Sequence, residues 1–436
     1  MTSFTTAAPV SGAGSLRARF LFGSAAAVLA LGVFAPSAVN AQEVCAAIPG
    51  SVTCLPTAAA PLFNTGTAIV LDDTGATVSL PADAVNAGFV RYDVVAAGPA
   101  GTLALVASPS DAALHTARYG TALRSLWNKS ADMVSTHMQS RRDALWSMGG
   151  TPIAGKLWIA MSGSADTIRA RRNFSTLGQN RVTDMTMRQD IFGGQLGLDL
   201  GGGVGTRGGF AVGLTGGYSN SRARFANTPD VLAVNAINGG AYFSFTQGNI
   251  FANGLGKYDY YWADARSQTG GFSKDLHGHA YGARGEIGLR AGGDSMFIEP
   301  LAQFTWVKTK LDGFNVRGTS VSFDDRDGMR GKAGVRIGGA TALGADNRMS
   351  FYVGGNYVHN FKNEGGITLA NAGGTYRYTG IRTPDYGEAL GGISIATNRS
   401  VSGFIEGAYT RSFKNGTDTP ETRRGVAGRA GVTVKF

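Results

Sequence analysis

The alternation of side chains in residues 423–436 limits the fold of this chain more than any other feature. Its apolar residues fall on one face of a strand, with glycine, threonine and cations on the other; the apolar set is Val426, Ala430, Val432, Val434 and Phe436. The same two-sided pattern recurs through most of the C-terminal two-thirds of the chain. Only helices and closed barrels satisfy every backbone group inside a membrane, and a barrel strand meets lipid on one face and a wet lumen on the other. The pattern therefore predicts an all-β, antiparallel transmembrane barrel.

Residues 153–436 are predicted to supply about twelve strands, an even number as in bacterial barrels. The predicted lipid-facing positions include Phe192, Leu198, Phe210, Leu214, Ile237, Tyr258, Tyr260, Ile287, Phe304, Val335, Ile337, Phe351 and Ile405. The first strand, around residues 156–162, is ambiguous because Trp158 and Ile159 compete for the outer face.

The connections between the predicted strands alternate between short and long. The short ones are 201–207, 247–249, 292–295, 343–347 and 398–400, and the long ones are 163–183, 226–230, 264–274, 311–327, 362–384 and 414–422. Short turns belong to the periplasmic side of such barrels and long loops to the cell exterior. Both ends of the barrel segment are therefore predicted to lie on the periplasmic side.

Charged residues occupy the second face of these strands. The predicted lumen charges are Arg284, Glu286, Arg290, Arg330, Lys332 and Arg336, together with Asp199, Asp259, Glu299 and Glu406. An arginine or lysine turned outward at mid-bilayer would cost about 2–4 kcal/mol, which fixes which face points inward. We expect these groups to hydrate the lumen, to pair with each other and to hold a helix that carries Asp132, Arg141 and Asp143.

An export signal is predicted over residues 1–41. Arg17 and Arg19 precede the apolar run 20–35, and small residues at 39–41 precede Gln42. The run is too short to span a membrane, and a cleavage site follows it at once. Residues 42–110 are then a short exported segment. Its Cys45 and Cys54 are candidates for one disulfide, with a metal or redox pair as the alternative.

The apolar period changes after residue 110 from that of a strand to that of a helix. Residues 111–152 are predicted to form a helix and a linker, with Ser110 or Asp111 as the cap and Pro152 beyond the end. Gly120 is a candidate interruption of this helix.

This order of elements resembles the translocator domain of autotransporters, the type V secretion proteins, over about residues 89–436. The resemblance rests on the end of the exported segment at 92–110, on the helix with Leu126, Trp127, Arg141 and Arg142, and on the barrel that ends in Phe436. It implies a bacterial outer-membrane barrel with the helix threaded through its lumen. It also implies that the terminal strand, with Val432, Val434 and Phe436, is read by the barrel-assembly machinery. The other partners to expect are periplasmic chaperones, outer-membrane lipid and lipopolysaccharide, around a monomeric barrel.

The chain departs from that family in two ways. Its exported segment is short and lacks the repeats of a long β-helix. Members that release this segment often cut between adjacent asparagines in the helix, whereas here Asn128 is followed by Lys129. The resemblance therefore implies an uncleaved product that stays tethered at the cell surface.

The leading hypothesis is a barrel that translocates residues 42–110 and anchors them at the cell surface, beside the long loops, without catalysis. The alternative is a porin-like channel whose N-terminal segment is periplasmic or plugs the lumen. A third hypothesis, a barrel-borne protease or lipase, lacks a G-x-S-x-G run and a plausible triad order. The formal net charge of +10 arises largely from lumen and loop cations, so nucleic-acid binding is not implied.

Four further groups of residues suggest chemistry, and each also has a structural explanation. His277 and His279 share a strand face and would need a third ligand to bind a metal. The carboxylates Asp324, Asp325 and Asp327 lack the spacing of a calcium loop. Arg169, Arg171, Arg172 and Arg181 either bind lipopolysaccharide phosphates or form a solvated loop. The run 203–208 matches G-x-G-x-x-G, but no helix follows it, so a turn is predicted there. No metal or cofactor is predicted.

Overall fold

The computed structural model describes residues 69–72, 85–96, 102–148, 154–176, 179–204, 208–293, 295–316, 318–344, 346–362, 365–371, 374–379, 383–397, 400–413 and 421–435. The predicted signal peptide, Cys45, Cys54 and Phe436 lie outside these residues. No helix within the described ranges combines the length and the apolar composition needed to cross a membrane.

Four short strands and two helices precede the barrel. The strands are β1 (Ile69–Asp72), β2 (Val85–Ala87), β3 (Val90–Ala96) and β4 (Thr102–Pro109), and they form one antiparallel sheet in the order β1-β4-β3-β2. The helices are α1 (Asp111–Thr116) and α2 (Tyr119–Met148). At about 1.5 Å per residue, α2 is about 45 Å long, more than the thickness of a bilayer's hydrocarbon core.

The interruption between the two helices lies just before Gly120, the residue at which the sequence suggested a break. Ser110 caps α1 by accepting a hydrogen bond from the Ala113 amide. The chain then tightens, because the Arg118 amide donates to the carbonyl three residues back, and the Arg118 guanidinium donates to the Met185 carbonyl. The break is thus at residues 117–118, and Gly120 lies within α2.

Nineteen strands follow α2. They are β5 (Ala154–Arg169), β6 (Arg171–Thr176), β7 (Gln179–Asp184), β8 (Met187–Val204), β9 (Gly208–Phe225), β10 (Val231–Gln247), β11 (Ile250–Ser267), β12 (Phe272–Leu289), β13 (Ala291–Gly292), β14 (Phe297–Leu311), β15 (Phe314–Val316), β16 (Thr319–Phe323), β17 (Arg326–Ala342), β18 (Asn347–Lys362), β19 (Gly366–Asn371), β20 (Gly374–Thr379), β21 (Tyr386–Thr397), β22 (Val401–Ser412) and β23 (Thr422–Lys435). Twelve of these strands form one closed antiparallel barrel, and the remaining strands are short.

The barrel strands are β5, β8, β9, β10, β11, β12 with its short continuation β13, β14, β17, β18, β21, β22 and β23. Consecutive members pair antiparallel, and the ring closes where β23 pairs with β5, from Thr422 opposite Arg169 to Lys435 opposite Lys156. We call this closing pair the seam. The predicted antiparallel barrel of about twelve strands with an N-terminal helix is confirmed.

The ambiguous first strand has one clear orientation. Ile159 is 56% exposed on the outside of β5, whereas Trp158 is 1% exposed and points into the lumen. Trp158 donates its indole N–H to the Tyr242 hydroxyl at 2.7 Å, so its polar atom has a partner inside the barrel. A buried tryptophan normally needs such a partner, which the lipid face could not supply.

The long connections differ in two places from their predicted bounds. β5 continues to Arg169 and is followed by the hairpin β6–β7, so the predicted first loop, 163–183, starts too early. Likewise, β11 extends to Ser267 and β12 begins at Phe272, so only residues 268–271 connect them. Two other connections contribute β15, β16, β19 and β20 to a four-stranded sheet at the same end of the barrel.

Candidate functional site

Helix α2 fills the lumen and runs from one end of the barrel to the other. At its C-terminal end, Trp146 donates its indole N–H to the carbonyl of Gly248, in the short turn between β10 and β11, at 3.3 Å. Ahead of its N-terminal end, His115 in α1 lies 2.9 Å from Asp230, at the end of the connection between β9 and β10. The chain therefore enters the lumen at the end with the long connections and leaves it at the end with the short turns.

The half of the lumen near the short turns holds the helix through Asp143. This carboxylate is 1% exposed and lies 2.8 Å from Arg336 and 3.1 Å from Arg290. Glu299, which is fully buried, lies 2.9 Å from Arg336 and 2.7 Å from Arg142 of the helix. Two strand arginines and one helix arginine thus share two carboxylates away from bulk water.

The centre of the lumen repeats this arrangement around Asp132. Its carboxylate lies 2.7 Å from Arg284, 3.2 Å from Arg429 and 3.8 Å from Arg330. Glu406 also pairs with Arg429 and accepts hydrogen bonds from Thr136 at 3.3 Å and Tyr352 at 2.8 Å. This helix position is therefore bound to strands on opposite sides of the barrel, since β12 and β23 are six strands apart in the ring of twelve.

Other side chains of the helix have ionic partners on β5 and β8. Arg141 lies 2.9 Å from Asp199, and His137 lies 3.7 Å from the same carboxylate. Lys129 lies 3.2 Å from Asp166 on β5, which also lies 3.3 Å from Arg423. A helix with ionic partners on several sides cannot rotate or slide without breaking pairs that are buried.

Aromatic side chains fill the space between these ionic groups. Trp127 is fully buried, and the Lys257 ammonium lies 4.9 Å from its ring centroid while donating to Ser130 at 2.7 Å. His137 stacks on Trp158 with 4.3 Å between ring centroids. The cavities beside the helix in the described part of the chain are small, and they include one of about 50 Å³ near the short turns and one of about 50 Å³ near the long connections. A volume of that size has room for a few waters.

The turn between β2 and β3 packs against the barrel at the long-connection end. Phe89, in the turn between β2 and β3, is 1% exposed, and its ring lies 5.4 Å from that of Phe272 and 6.1 Å from that of Phe314. Ser110 donates to the Gly88 carbonyl at 2.9 Å and so joins this turn to the helix. The segment just before the helix is thus packed on the barrel's long-connection end.

His115 and Asp230 hold α1 to the same end. Both side chains are 1% exposed, and Asp230 also accepts a hydrogen bond from Thr269 at 2.9 Å. Burial raises the pKa of the Asp230 carboxyl, but its hydrogen bonds with His115, Ser267 and Thr269 outweigh that effect and hold the pKa below the ordinary 3.8. A carboxyl with a lowered pKa contributes stability that is present at neutral pH and is lost as the pH falls through its value in the folded protein.

We predict that Asp230→Asn loosens α1, because the variant loses a charge-assisted hydrogen bond worth about 1–3 kcal/mol. Amide hydrogen exchange in residues 111–117 should be faster than in the wild type at pH 7, and the difference should shrink as the pH falls through the lowered pKa of the wild-type carboxyl, which then takes up a proton. Asp312→Asn changes an exposed carboxyl at the same end and serves as the control. Equal exchange in the two variants would contradict the role of Asp230.

The structure locates the charges predicted for the lumen as follows. Arg284, Arg290 and Arg336 contact helix carboxylates as described above, and Arg330 also donates to the Tyr386 hydroxyl at 3.3 Å. Lys332 donates to Glu388 at 2.9 Å. Glu286 accepts from Asn253 at 2.9 Å and Gln303 at 3.1 Å, both on neighbouring strands, and lies 3.8 Å from Arg142.

The residues predicted to mark the terminal strand face outward. Val432 and Val434 are 46% and 44% exposed on β23. Arg429 was predicted on the non-apolar face of the last strand, and it pairs with Asp132 in the lumen. Other residues of the lumen network were not on the predicted set of charges, among them Arg423, Asp166 and Glu388. They share the strand parity of the predicted lumen face, so the alternation contains the signal that would have found them.

The candidate metal-binding residues do not converge. His277 and His279 lie on the outward face of β12, where their rings are near Tyr260 and Tyr258. Asp324 lies 2.9 Å from Arg377 and Asp325 lies 3.1 Å from Lys310. Within the described ranges, no three histidine, cysteine or acidic side chains are grouped as metal ligands would be.

Comparison with known proteins gives one family and a set of solved structures. The family model described as the autotransporter β-domain matches residues 167–408, more than half of the chain. No curated protein sequence matches significantly. The chain is similar to the transport unit of the autotransporter AIDA-I from Escherichia coli, with 18% identity, a TM-score of 0.49, and coverage of 69% of this chain and 98% of that one.

Two more solved structures are similar. The β-domain of the Bordetella autotransporter BrkA has 18% identity and a TM-score of 0.47, with coverage of 65% of this chain and 100% of that one. The translocator domain of NalP from Neisseria meningitidis has 14% identity and a TM-score of 0.48, with coverage of 73% and 100%.

Proposed function

This chain belongs to the autotransporter β-domain family, whose barrels lie in the bacterial outer membrane, and from that membership we propose that it translocates and anchors its own N-terminal segment. The proposed cargo is residues 42–110, left after removal of a signal peptide, and the end with the long connections is the cell exterior. The protein acts as a monomeric barrel and as a tether, without catalysis.

The observation that carries the proposal is the direction of α2 through the lumen. The N-terminal side of the helix is at the long-connection end, through His115 and Asp230, and Trp146 is at the short-turn end. In bacterial barrels, long loops are extracellular and turns are periplasmic. A chain that enters the lumen from the exterior and continues into β5 at the periplasmic side has its preceding residues outside.

The lumen network supports a tether that remains intact. Asn128 donates its side-chain amide to the Arg124 carbonyl at 2.9 Å, and Arg284 lies 3.3 Å from the Asn128 side-chain oxygen. Lys129 follows, with its ammonium against Asp166. We propose that the chain is not cut at this asparagine and that the exported residues stay covalently joined to the barrel.

The proposed partners follow from the terminal strand and the outer wall. The outward apolar residues Val432 and Val434, with Phe436 after them, would be read by the barrel-assembly machinery after delivery by periplasmic chaperones. The assembled wall would contact outer-membrane lipid, including lipopolysaccharide.

An epitope tag inserted directly after Gln42 tests the topology. Antibody applied to intact cells should bind this tag, because residues before α1 would be outside. A tag between Leu343 and Gly344, in the short turn between β17 and β18, is the matched control and should be detected only after the outer membrane is permeabilised.

Two outcomes would change this assignment. Detection of the first tag only in permeabilised cells would favour a porin-like channel with a periplasmic N-terminus. A tagged fragment that separates from the barrel in a denaturing gel would show cleavage and contradict the proposed permanent tether.

A further inference from the structure

Arginines are concentrated on the outside of the barrel where its first and last strands meet. Arg411 on β22 is directly opposite Arg424 on β23, and Arg188 on β8 is directly opposite Arg224 on β9. Thr167 on β5 is opposite both Arg424 and Arg188, so the two pairs belong to one continuous row across five neighbouring strands. We call these four arginines the seam arc. All four are exposed.

The seam arc has few anionic partners in the protein. Among the described residues, Arg224 lies 2.7 Å from Asp190, and no other ion pair involves an arginine of the arc. Asp190 is also the one carboxylate on the outward faces of β22, β23, β5, β8 and β9. Two further exposed arginines, Arg169 and Arg222, lie on the same outward surface.

Such an arrangement is unfavourable without a counter-ion. Like charges directly opposite each other on neighbouring strands repel, and each arginine pair here is of this kind. Other cations on the outside of this end do have carboxylates nearby, as with Lys310 and Asp325 at 3.1 Å. The excess positive charge is therefore a feature of the seam side of the barrel.

The arc lies where the lipid-facing surface ends. Below Arg424, the outward residues of β23 are small or apolar as far as Val434, and Val426 is 54% exposed. Eight residues at about 3.4 Å each give about 27 Å along the strand, or about 20 Å along the membrane normal once strand tilt is included. That height is close to the apolar band of an outer-membrane barrel, about 25 Å. The Arg424 guanidinium is then level with lipid headgroups. On β8 and β9 the outward residues Asp190 and Arg222 separate the arc from the apolar wall, so Arg188 and Arg224 lie further out in the headgroup region.

We propose that the seam arc binds the headgroup of a phosphorylated glycolipid in the outer leaflet, with one phosphate at each arginine pair. The assignment to the outer leaflet rests on the orientation given in the proposed function. The centres of the two pairs are three strand spacings apart, about 14 Å at about 4.8 Å per spacing. An arginine pair offers planar, bidentate donors that match the oxygens of a phosphate group. Because the two phosphates would be on opposite sides of Thr167, the bound lipid bridges the seam.

Native mass spectrometry of the purified full chain in detergent, titrated with diphosphoryl lipid A, tests this site. R411Q/R424Q and R188Q/R224Q should each weaken lipid binding about tenfold, since each removes two cations that face an anionic headgroup. The matched control is R266Q/K308Q, which removes two outward cations on β11 and β14, away from the seam, and should change binding by less than about twofold. Heat-modifiable migration establishes that each variant is folded before the titration.

Three results would overturn the assignment. The first is that the arc variants bind lipid A as tightly as the control variant. The second is that lipid A with both phosphates removed binds as well as the diphosphoryl form. The third is that inorganic phosphate at the same concentration displaces the lipid, which would make the arc a site for free phosphate. None of these results bears on whether the Gln42 tag reaches the surface, so the site and the topology are tested separately.

Discussion

Asp143→Ala should lower the free energy of unfolding of the barrel by about 3 kcal/mol or more, because it leaves Arg290 and Arg336 buried without their main partner. Glu299 remains near both guanidinium groups, at 2.9 Å from Arg336 and 3.9 Å from Arg290, but it already forms an ion pair with Arg142. One carboxylate then faces three arginines. The measurement is the urea midpoint of the folded barrel, followed by heat-modifiable gel migration.

The control for this variant is the removal of an exposed pair. Asp190→Ala removes the contact between Asp190 and Arg224, whose side chains are 53% exposed for Asp190 and 50% exposed for Arg224. Exposed ion pairs of this kind contribute about 0–1 kcal/mol. Adding Arg290→Met to Asp143→Ala should recover part of the loss, since it removes one of the orphaned buried cations. If Asp143→Ala proves as mild as Asp190→Ala, the buried network does not stabilise the helix in the barrel.

Val335→Arg should strongly reduce the yield of assembled barrel. Val335 is 40% exposed on the outward face near the middle of β17, where an arginine costs about 2–4 kcal/mol in lipid. Lys332→Gln, three residues away on the lumen face, should assemble normally. Its partner Glu388 also accepts a hydrogen bond from Asn356 at 2.8 Å and so keeps a donor.

The comparison between these two variants tests the register of β17. Both are measured as the fraction of heat-modifiable barrel recovered from the outer membrane at matched expression. Equal yields would mean that residues 332 and 335 do not face opposite environments, and the inside–outside assignment of the strand would be wrong.

The sequence predicted the barrel well because lipid acts on every strand in the same way. Leu214, Ile237 and Ile405 were predicted outward from alternation alone, and they are 67%, 52% and 70% exposed. The strand number followed from counting such segments. These features depend on the local alternation of apolar and polar residues, which can be read from a single sequence.

The ends of the strands were less predictable because the pattern of apolar outward residues and polar inward residues reverses beyond the membrane. Near the long connections, inward residues pack on α1 and the loops, so Ile168, Leu232 and Leu276 are buried there at 2%, 1% and 2% exposure. Outward residues near the same end are polar and exposed, as are Arg266 and Asp264, whose side chains are 69% and 48% exposed. The first predicted loop started too early for this reason, since the strand continues with its apolar face turned inward.

The pairing inside the lumen could not be read from the sequence either. Alternation shows that Arg284 and Arg336 point inward, but their partners depend on how far α2 is inserted and how it is rotated. One turn of helical displacement, about 5.4 Å, would remove Asp132 from Arg284. The partners of each cation are thus set by tertiary packing.

The threaded helix also determines how the molecule responds to mechanical force. A pull on the residues before Ser110 is directed along the axis of α2, because the helix runs lengthwise through a closed ring and continues into β5. The pairs at Asp143, Asp132 and Lys129 are spread along that axis, so they bear the load together in shear and do not open one after another. The strand at the far end is itself paired on both edges, with β8 and β23. In the proposed tether, resistance to extraction would come from the whole length of the lumen.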